Sequence, residues 1–358
     1  MKILCSITFH GYGHLSQAAP ILNQLSLRFP RLRFVIQCAA PTALLRHWFD
    51  FDFEHDQAEL DIGIPMRNAL TADVDATYQY YRQQWQQHER WVQTASAVLE
   101  RHRPDLVLAN ISHLLARAAA QLQIPCLQFC SLNWADIVAE YCKDQPAAGE
   151  ITESLRQDYN QAQRFFCLTP GMPMTGLTNR QQIGPVCRLG TRRDLAQHLN
   201  QPADTRFVWL SLGGMAYPID FERWQIPDKL FFIYGTDRAN LPQGVISVTQ
   251  TGLSHLDLIA SCDLIMTKPG YGTFVEAACH GKPVLYLPRS NWAEEPYLLE
   301  WLRACGYCAA ITDEQLQQGR FQANIETALA APVFAPVPPT GVNEMVNAIS
   351  AYLPASNQ

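Results

Sequence analysis

Two stretches of the chain share one layout. Each is an apolar run that stops at a glycine-bearing loop and then gives way to a helical pattern. The first is Ile3–Phe9, followed by His10-Gly11-Tyr12-Gly13-His14, and the second is Phe207–Leu212, followed by Gly213-Gly214. Both runs are mostly apolar, interrupted by Ser6, Thr8 and Ser211, without strict alternation, as expected of strands buried on both faces of a parallel sheet. A strand, a glycine turn and a helix are also how a Rossmann-type unit begins. Further strands are predicted at Arg33–Gln37, Asp105–Ala109, Pro125–Phe129 and Phe165–Leu168, and again at Leu230–Tyr234, Val245–Val248, Asp263–Met266 and Pro283–Tyr286. Helical spacing falls between most of them, at Leu15–Arg28, Ala76–His102, His113–Gln121, Ser254–Ser261, Thr273–His280 and Pro296–Ala304. Strand and helix in alternation predict an α/β class with parallel sheets, built twice. The Ala76–His102 segment carries Tyr78, Tyr81, Trp85, Val92, Ala95 and Leu99 on one side. That stripe predicts one long helix packed on a core, with some of its aromatics also available to line a pocket.

The division into two follows from length as well, since 358 residues exceed one ordinary domain. The expected organisation is an N-terminal Rossmann-like domain over residues 1–169, a linker over 170–204 and a C-terminal Rossmann-like domain over 205–335. The linker is placed where Gly, Pro, Thr, Asn and Gln accumulate and periodicity fades. Four prolines between Ala330 and Thr340 exclude regular helix there. They leave a last amphipathic helix, in 336–358, that is expected to return to the first domain.

Composition narrows the function classes. Hydrophobic residues make up 48% and charged residues 17%, an ordinary globular balance, and the net charge is −6. Without a basic stripe, nucleic acid is not an expected partner. No apolar run is long enough to span a bilayer, and the N-terminus lacks the cleavage pattern of a signal peptide. Cytoplasm is the default location, with peripheral membrane contact left open. The 11 cysteines form an odd set without repeated spacing. Cys305 and Cys308 make a CxxC and Cys126 and Cys130 a CxxxC, which are read first as small buried hydrophobes and only second as redox or zinc pairs.

The sharpest candidate chemistry lies in Cys262–Pro288, CDLIMTKPGYGTFVEAACHGKPVLYLP. It reads as strand, tight turn, helix from Thr273 and strand. Gly270 and Gly272 permit close approach of a ligand to the backbone, and Thr273 is placed to cap or open the helix. The free N–H groups and partial positive charge of a helix start suit a diphosphate, and Glu276, one turn on, is within reach of an adjoining ribose. An ordinary βα turn is the competing reading of the same residues.

The pattern Gly270-x-Gly272-Thr273-x-x-Glu276-Ala277, then Gly281-x-Pro283 and Pro288, resembles the donor-site signature of GT-B glycosyltransferases, in the style of MurG-like N-acetylglucosaminyltransferases. The wording KPGYGTFVEA is nearer still to the glycosyltransferase-like domain fused to L-arabinokinases. That resemblance implies a GT-B fold, with two Rossmann-like domains facing across a cleft. It implies that the glycine–threonine turn holds the donor phosphates and that Glu276 binds the ribose. Glu294 and Glu295, after the next strand, occupy the place where relatives carry a pair that contacts the donor sugar. The donor side is thus expected to include Gly13, Gly213, Gly214, Thr249, Lys268, Gly270, Tyr271, Gly272, Thr273, Glu276, Glu294 and Glu295. The loop HGYGHLSQAAP is similar to the first loop of the same families, which puts His14 at the catalytic position with His10 as its competitor. A neutral imidazole can take a proton from an acceptor hydroxyl. Relatives orient such a histidine with an aspartate after a later strand, whereas this chain has Asn110 there. The segment Cys130–Asp136 resembles SNFSWD-type text of the arabinokinase-fused domain. It adds Asn133 and Trp134 on the acceptor side and Asp136 as a rival base, although a carboxylate also suits a helix start for its own sake.

The resemblance implies transfer of a sugar from a nucleoside-diphosphate sugar, most simply a UDP-sugar, to an unidentified acceptor. The expected step is inverting displacement without a cofactor or metal, with the leaving diphosphate stabilised by preorganised dipoles. The nucleotide-sugar is a co-substrate. An epimerase or hydrolase on the same fold, or a non-catalytic nucleotide-sugar binder, are the alternatives. A dehydrogenase fits worse, since the first loop is not GxGxxG and no acidic residue ends Arg33–Gln37.

Overall fold

The computed structural model describes residues 1–9, 11–214 and 217–354. Two compact units emerge, one formed by Met1–Pro65, Ala72–Val186 and the segment from Thr340, the other by Met66–Thr71 and Cys187–Pro339.

In the first unit the strands are β1 (Lys2–Ile7), β2 (Arg33–Gln37), β3 (Phe53–Asp56), β4 (Leu106–Asn110), β5 (Cys126–Cys130), β6 (Arg164–Leu168) and β7 (Arg180–Ile183). The helices between them are α1 (Gly13–Arg28), α2 (Thr42–Trp48), α3 (Val74–Gln86), α4 (His88–His102), α5 (His113–Gln121), α6 (Trp134–Tyr141) and α7 (Ala148–Tyr159). The seven strands pair in parallel in the order β3-β2-β1-β4-β5-β6-β7. Leu4, Val35 and Val107 form one face of the core, with Val92, Leu99, Leu114 and Leu115 packed over them.

The second unit carries α8 (Leu195–His198), β8 (Arg206–Ser211), β9 (Leu230–Tyr234), β10 (Val245–Ser247), α9 (Val248–Thr251), α10 (His255–Ser261), β11 (Leu264–Thr267), α11 (Tyr271–Cys279), β12 (Val284–Tyr286), α12 (Glu295–Cys305), β13 (Cys308–Ala310), α13 (Asp313–Gln318) and α14 (Gln322–Ala330). Its sheet is parallel in the order β10-β9-β8-β11-β12-β13. An aromatic knot closes its core: Trp224 lies 4.7 Å from Phe221 and 4.7 Å from Phe321, edge to face, and its indole N–H donates to Leu316 O at 2.7 Å. Each such ring buried contributes a few kcal/mol at ~25 cal/mol per Å² of apolar surface. The last helix, α15 (Thr340–Ser350), packs on α1 and β7 of the first unit.

Both sheets have a point where strand order reverses. It lies between β1 and β4 in the first and between β8 and β11 in the second. Chain connections leave in opposite directions there, which opens a crevice at the strands' carboxyl ends where ligands bind in sheets of this kind. The register pairs Ile7 with Asn110 in one sheet and Ser211 with Thr267 in the other. The loops carrying His14 and Gly213 therefore begin beside Asn110 and Lys268.

Three details depart from the sequence expectations. Ala76–His102 is not one helix. It breaks at Gln87, where the backbone turns to φ −117° and ψ 27°. Polar residues surround the break, and the two halves serve different partners: α3 packs on α6 and α7, and α4 on α5. Trp85 is consequently only half-buried. Helix α11 starts at Tyr271 with Gly270 as its N-cap and no side-chain cap, so Thr273 lies inside the first turn rather than capping it. Within 170–204, β7 and α8 are regular elements, so the low periodicity there reflects short pieces with polar faces. The described cysteines are all free thiols, nine of them buried, as their reading as small hydrophobes requires.

Candidate functional site

In the first unit the reversal point is filled by a buried polar cluster. His14, in the first turn of α1, is 4% exposed, and its Nδ1 lies 2.5 Å from Asn110 Oδ1. The Asn110 amide is fixed from its other side. Its Nδ2 donates to the Phe129 carbonyl at 2.8 Å and to Gln17 Oε1 at 2.9 Å. A carbonyl only accepts, so the group facing Phe129 is the NH2 and the group facing His14 is the oxygen. His14 must then donate from Nδ1–H, which leaves Nε2 as the unprotonated nitrogen. Gln17 Nε2 donates to Ser131 Oγ at 2.9 Å, extending the cluster to the loop after β5. Trp134 meets the His14 ring edge-on at 5.6 Å, and Cys130 Sγ lies 3.8 Å from Nδ1. Burial lowers His14 to about 4, against a smaller opposing effect of the Asn110 hydrogen bond. The imidazole is therefore neutral at any ordinary pH, in the tautomer that suits a proton acceptor at Nε2.

The other catalytic candidates stand differently. Asp136 is half-buried at the start of α6. Its Oδ2 accepts from Asn133 Nδ2 at 3.0 Å, its Oδ1 accepts from Arg156 at 3.3 Å, and its own N–H donates to Asn133 Oδ1 at 2.9 Å. Both oxygens thus serve a capping and ion-pair arrangement, the bland alternative for a helix-start carboxylate. His10 lies outside the described residues. Gly13 opens α1 at the surface, and a side chain there would meet open space.

A buried carboxylate that the sequence did not single out lies near the same strand ends. Asp61 is 6% exposed, accepts from Thr8 Oγ1 at 3.0 Å and from Gly63 N at 3.1 Å, and is raised by burial. No motif surrounds it, and only the fold brings it to Thr8 at the end of β1. Gln17 and Ser131 lie inside the quoted segments HGYGHLSQAAP and Cys130–Asp136 but carried no expected role.

In the second unit the loops after β8, β11 and β12 supply the candidates. Gly213 has φ +84°, a conformation that favours glycine, and a Cβ there would lie 3.1 Å from Lys268 Cε and 3.6 Å from its Nζ. Gly213 and Gly214 are exposed. Lys268 follows β11 and is half-buried; burial, and then the charge of Arg289, lower its ammonium toward about 7, against the pull of Glu294. Its Nζ has no hydrogen bond or ion pair among the described residues. Two residues on, Gly270 is extended at φ −171°, with open space where a Cβ would project. Its significance is room, not backbone conformation. Gly272 and Thr273 are half-buried in the first turn of α11, whereas Tyr271 is buried at 3% exposure. Glu276 is also buried, and its Oε2 lies 2.9 Å from His255 Nε2, whose ring meets Trp209 edge-on at 5.4 Å. The carboxylate is thereby held in place by α10.

Glu294 and Glu295 separate in role. Glu294 is 3% exposed and accepts from the Trp292 indole at 3.1 Å. Glu295 accepts from the Arg289 N–H at 3.0 Å and is raised by burial. The Arg289 guanidinium lies 3.6 Å over the Trp292 ring. Arg289, just past Pro288, carried no expected role; its nearness to Lys268 is visible only in the fold. Thr249 lies in α9, where its hydroxyl donates to Asp237. It lines an open cavity of about 520 Å³ at the ends of β9 and β10, together with Asp237, Arg238, Asn240, Ser247 and Gln250. Among the described residues no three His, Cys, Asp or Glu side chains are placed to hold a metal ion.

No family model matches the chain. An L-arabinokinase from Arabidopsis thaliana is 23% identical over 352 residues, covering 90% of this chain. The chain spans about a third of that protein, 32% of its length. Among solved structures, the glycotransferase of kitacinnamycin aligns over 99% of both chains with a TM-score of 0.65 at 16% identity. The calicheamicin glycosyltransferase aligns over 99% of this chain and 94% of its own, with a TM-score of 0.64 at 15% identity. The fold is GT-B. A putative UDP-N-acetylglucosamine 2-epimerase from Listeria monocytogenes shares the fold too, with a TM-score of 0.58 at 13% identity over 98% of this chain and 92% of that one. The GT-B fold therefore fixes the architecture and leaves the reaction to be argued from side chains. No helix among the described residues is long and apolar enough to cross a membrane.

Proposed function

We propose that this GT-B chain transfers a sugar from a nucleoside-diphosphate sugar, a UDP-sugar in the simplest case, to a hydroxyl-bearing acceptor. The observation that carries the proposal is the His14–Asn110 pair, whose amide orientation leaves Nε2 as the proton-accepting nitrogen. In the second unit, Lys268, Gly213 and the start of α11 offer positive charge and backbone N–H groups suited to a diphosphate. Glu276, braced by His255, suits a ribose hydroxyl, and Glu294 and Glu295 suit hydroxyls of the sugar.

The step is a displacement. His14 Nε2 takes the proton of the acceptor hydroxyl as that oxygen forms its bond to the anomeric carbon. The bond from that carbon to the diphosphate oxygen breaks, and the electron pair leaves with the nucleoside diphosphate. Attack opposite the leaving group inverts the anomeric centre. Lys268 and the α11 N–H groups stabilise charge where it develops, which is electrostatic preorganisation. Asn110 orients the ring without offsetting the imidazolium, so His14 is a weak base and depends on that stabilised leaving group.

The test is turnover. UDP-glucose, UDP-N-acetylglucosamine and dTDP-glucose are incubated with a panel of alcohols, sugars and phenols, and nucleoside diphosphate and glycoside are quantified by mass spectrometry. Transfer is expected with at least one pair, lost about 100-fold or more in His14→Ala and largely kept in Asp136→Asn. Donor consumed equally without any acceptor would replace transfer with hydrolysis or epimerisation. Saturable binding with no turnover in any pairing would replace it with a binding module.

A further inference from the structure

Asn110 stands at the centre of a set of hydrogen bonds whose directions can all be assigned. Its side chain is buried, and its oxygen and two N–H groups meet three different partners. Oδ1 faces His14 Nδ1 at 2.5 Å, and Nδ2 donates to the Phe129 carbonyl at 2.8 Å and to Gln17 Oε1 at 2.9 Å. Because the Asn110 group facing Gln17 is a donor, the Gln17 group facing it is the oxygen. Gln17 must then turn its NH2 the other way, where Nε2 donates to Ser131 Oγ at 2.9 Å. Gln17 and Ser131 are themselves buried. The hydrogen bonds therefore run in one sense away from the ring: His14 to Asn110, Asn110 to Gln17, Gln17 to Ser131. Amides joined in this way polarise one another, and at each step an oxygen faces back toward the imidazole.

Phe129 and Gln17 act differently on that amide. The Phe129 carbonyl decides which end of it faces His14. One hydrogen bond leaves rotation about its own axis, and such rotation would swing Oδ1 away from Nδ1. A second bond from the same NH2, in another direction, fixes the plane of the amide. Gln17 supplies it, from the next turn of the helix that carries His14. The consequence falls on the ring. A neutral imidazole has two tautomers, and the one present is set by the hydrogen bond at its other nitrogen. Only the Nδ1–H form can take an acceptor's proton at Nε2. Cys130 Sγ, 3.8 Å from Nδ1, is a weak acceptor and a poor substitute for the amide oxygen. We propose that Gln17 is a positioning residue for His14: acting through Asn110, and seated on Ser131, it holds the imidazole in its Nδ1–H tautomer. This role rests on the reading of His14 as the base and extends its support from one residue to three.

The experiment is NMR on protein carrying 15N-labelled histidine, with His14→Gln identifying the resonances and thermal unfolding checking that each variant is folded. At neutral pH the two ring nitrogens report which of them carries the proton. Wild type should show Nδ1 protonated and Nε2 unprotonated. Gln17→Met keeps the length of the side chain and removes its amide. In that variant the Nε2-protonated share should rise about fivefold or more, the factor that one net hydrogen bond is worth. Gln17→Glu keeps an oxygen toward Asn110 and should keep the wild-type tautomer. Ser131→Ala leaves the Gln17 NH2 without its acceptor and should move the ratio in the same direction as Gln17→Met, by less. It carries the test if Gln17→Met does not fold. The wild-type ratio in folded Gln17→Met, or in Ser131→Ala standing in for it, overturns the role of Gln17, and so does loss of the tautomer in Gln17→Glu. Those results leave His14 as the base. A wild-type ring protonated at Nε2 overturns that reading itself.

Discussion

Replacing Asn110 by Asp tests the electrostatics of the His14 pair most sharply. The wild-type ring donates Nδ1–H to a neutral amide oxygen and is held at about 4 by burial. Asn110→Asp puts a full negative charge at the same 2.5 Å position. An opposite charge at that range raises a histidine by ~1–3 pH units, so His14 should move to between about 5 and about 7. Each pH unit corresponds to ~1.4 kcal/mol of added preference for the imidazolium. The variant also loses a donor, since a carboxylate cannot replace the N–H given to the Phe129 carbonyl. That buried acceptor, left without its partner, should lower stability by about 1–3 kcal/mol. Gln17 can adapt by turning its amide to donate to the new carboxylate. The assay is an NMR titration of histidine-labelled protein, with His14→Gln identifying the resonance, alongside the acid limb of kcat/KM. Wild type should show a ring neutral down to about pH 4.5, with Nδ1 protonated, and the variant a ring that titrates in the higher range. A wild-type ring titrating near 6.5, or protonated at Nε2, would refute the reasoning.

Three further outcomes follow from the same geometry. Because His14 is lowered in the fold relative to an unfolded histidine near 6.5, the unfolded chain takes up the proton first as pH falls. Stability linked to His14 is therefore flat above about 6.5 and lost between there and about 4, by ~3 kcal/mol in total; His14→Leu should flatten that part of a urea-denaturation profile, and an unchanged slope would speak against it. Gly213→Val should cost about 1 kcal/mol or more through its positive φ and press on Lys268; calorimetry should show weaker nucleotide-sugar binding, and wild-type affinity would contradict the placement of the site. Glu276→Ala should weaken nucleotide-sugar binding about tenfold or more and His255→Ala by less, since the latter only braces the carboxylate; equal affinities by calorimetry would remove Glu276 from the donor side.

The inner strands were legible because a parallel strand buried on both faces leaves a continuous apolar run, as in Ile3–Cys5 and Phe207–Leu210. The edge strands β3 and β7 were not. Phe53–Asp56 and Arg180–Ile183 are mostly polar and half-buried or exposed, so no apolar run marks them. The break at Gln87 was hidden because the apolar spacing of α3 continues into α4 across a polar turn. The glycine loops and the KPGYGT turn were visible because glycine and proline act locally. Side-chain partnerships were not, because they depend on register and on strand order. Nothing in the sequence places Asp61 beside Thr8, Arg289 beside Lys268 or His255 on Glu276. Asn110 illustrates both sides. Its position at the end of β4 was readable, but the direction of its amide, and with it the tautomer of His14, depends on the Phe129 carbonyl one strand away.

The central claim, that this chain binds a nucleoside-diphosphate sugar through its second unit, is tested most directly by thermal unfolding against a panel of nucleoside diphosphates and nucleotide-sugars. Binding to the folded state alone stabilises by RT ln(1 + [L]/Kd), ~2.7 kcal/mol at a hundredfold excess over Kd. At least one nucleoside diphosphate and its sugar ester should raise the midpoint, and Lys268→Gln and Glu276→Ala should reduce that rise. A panel in which no nucleotide moves the midpoint would contradict the account.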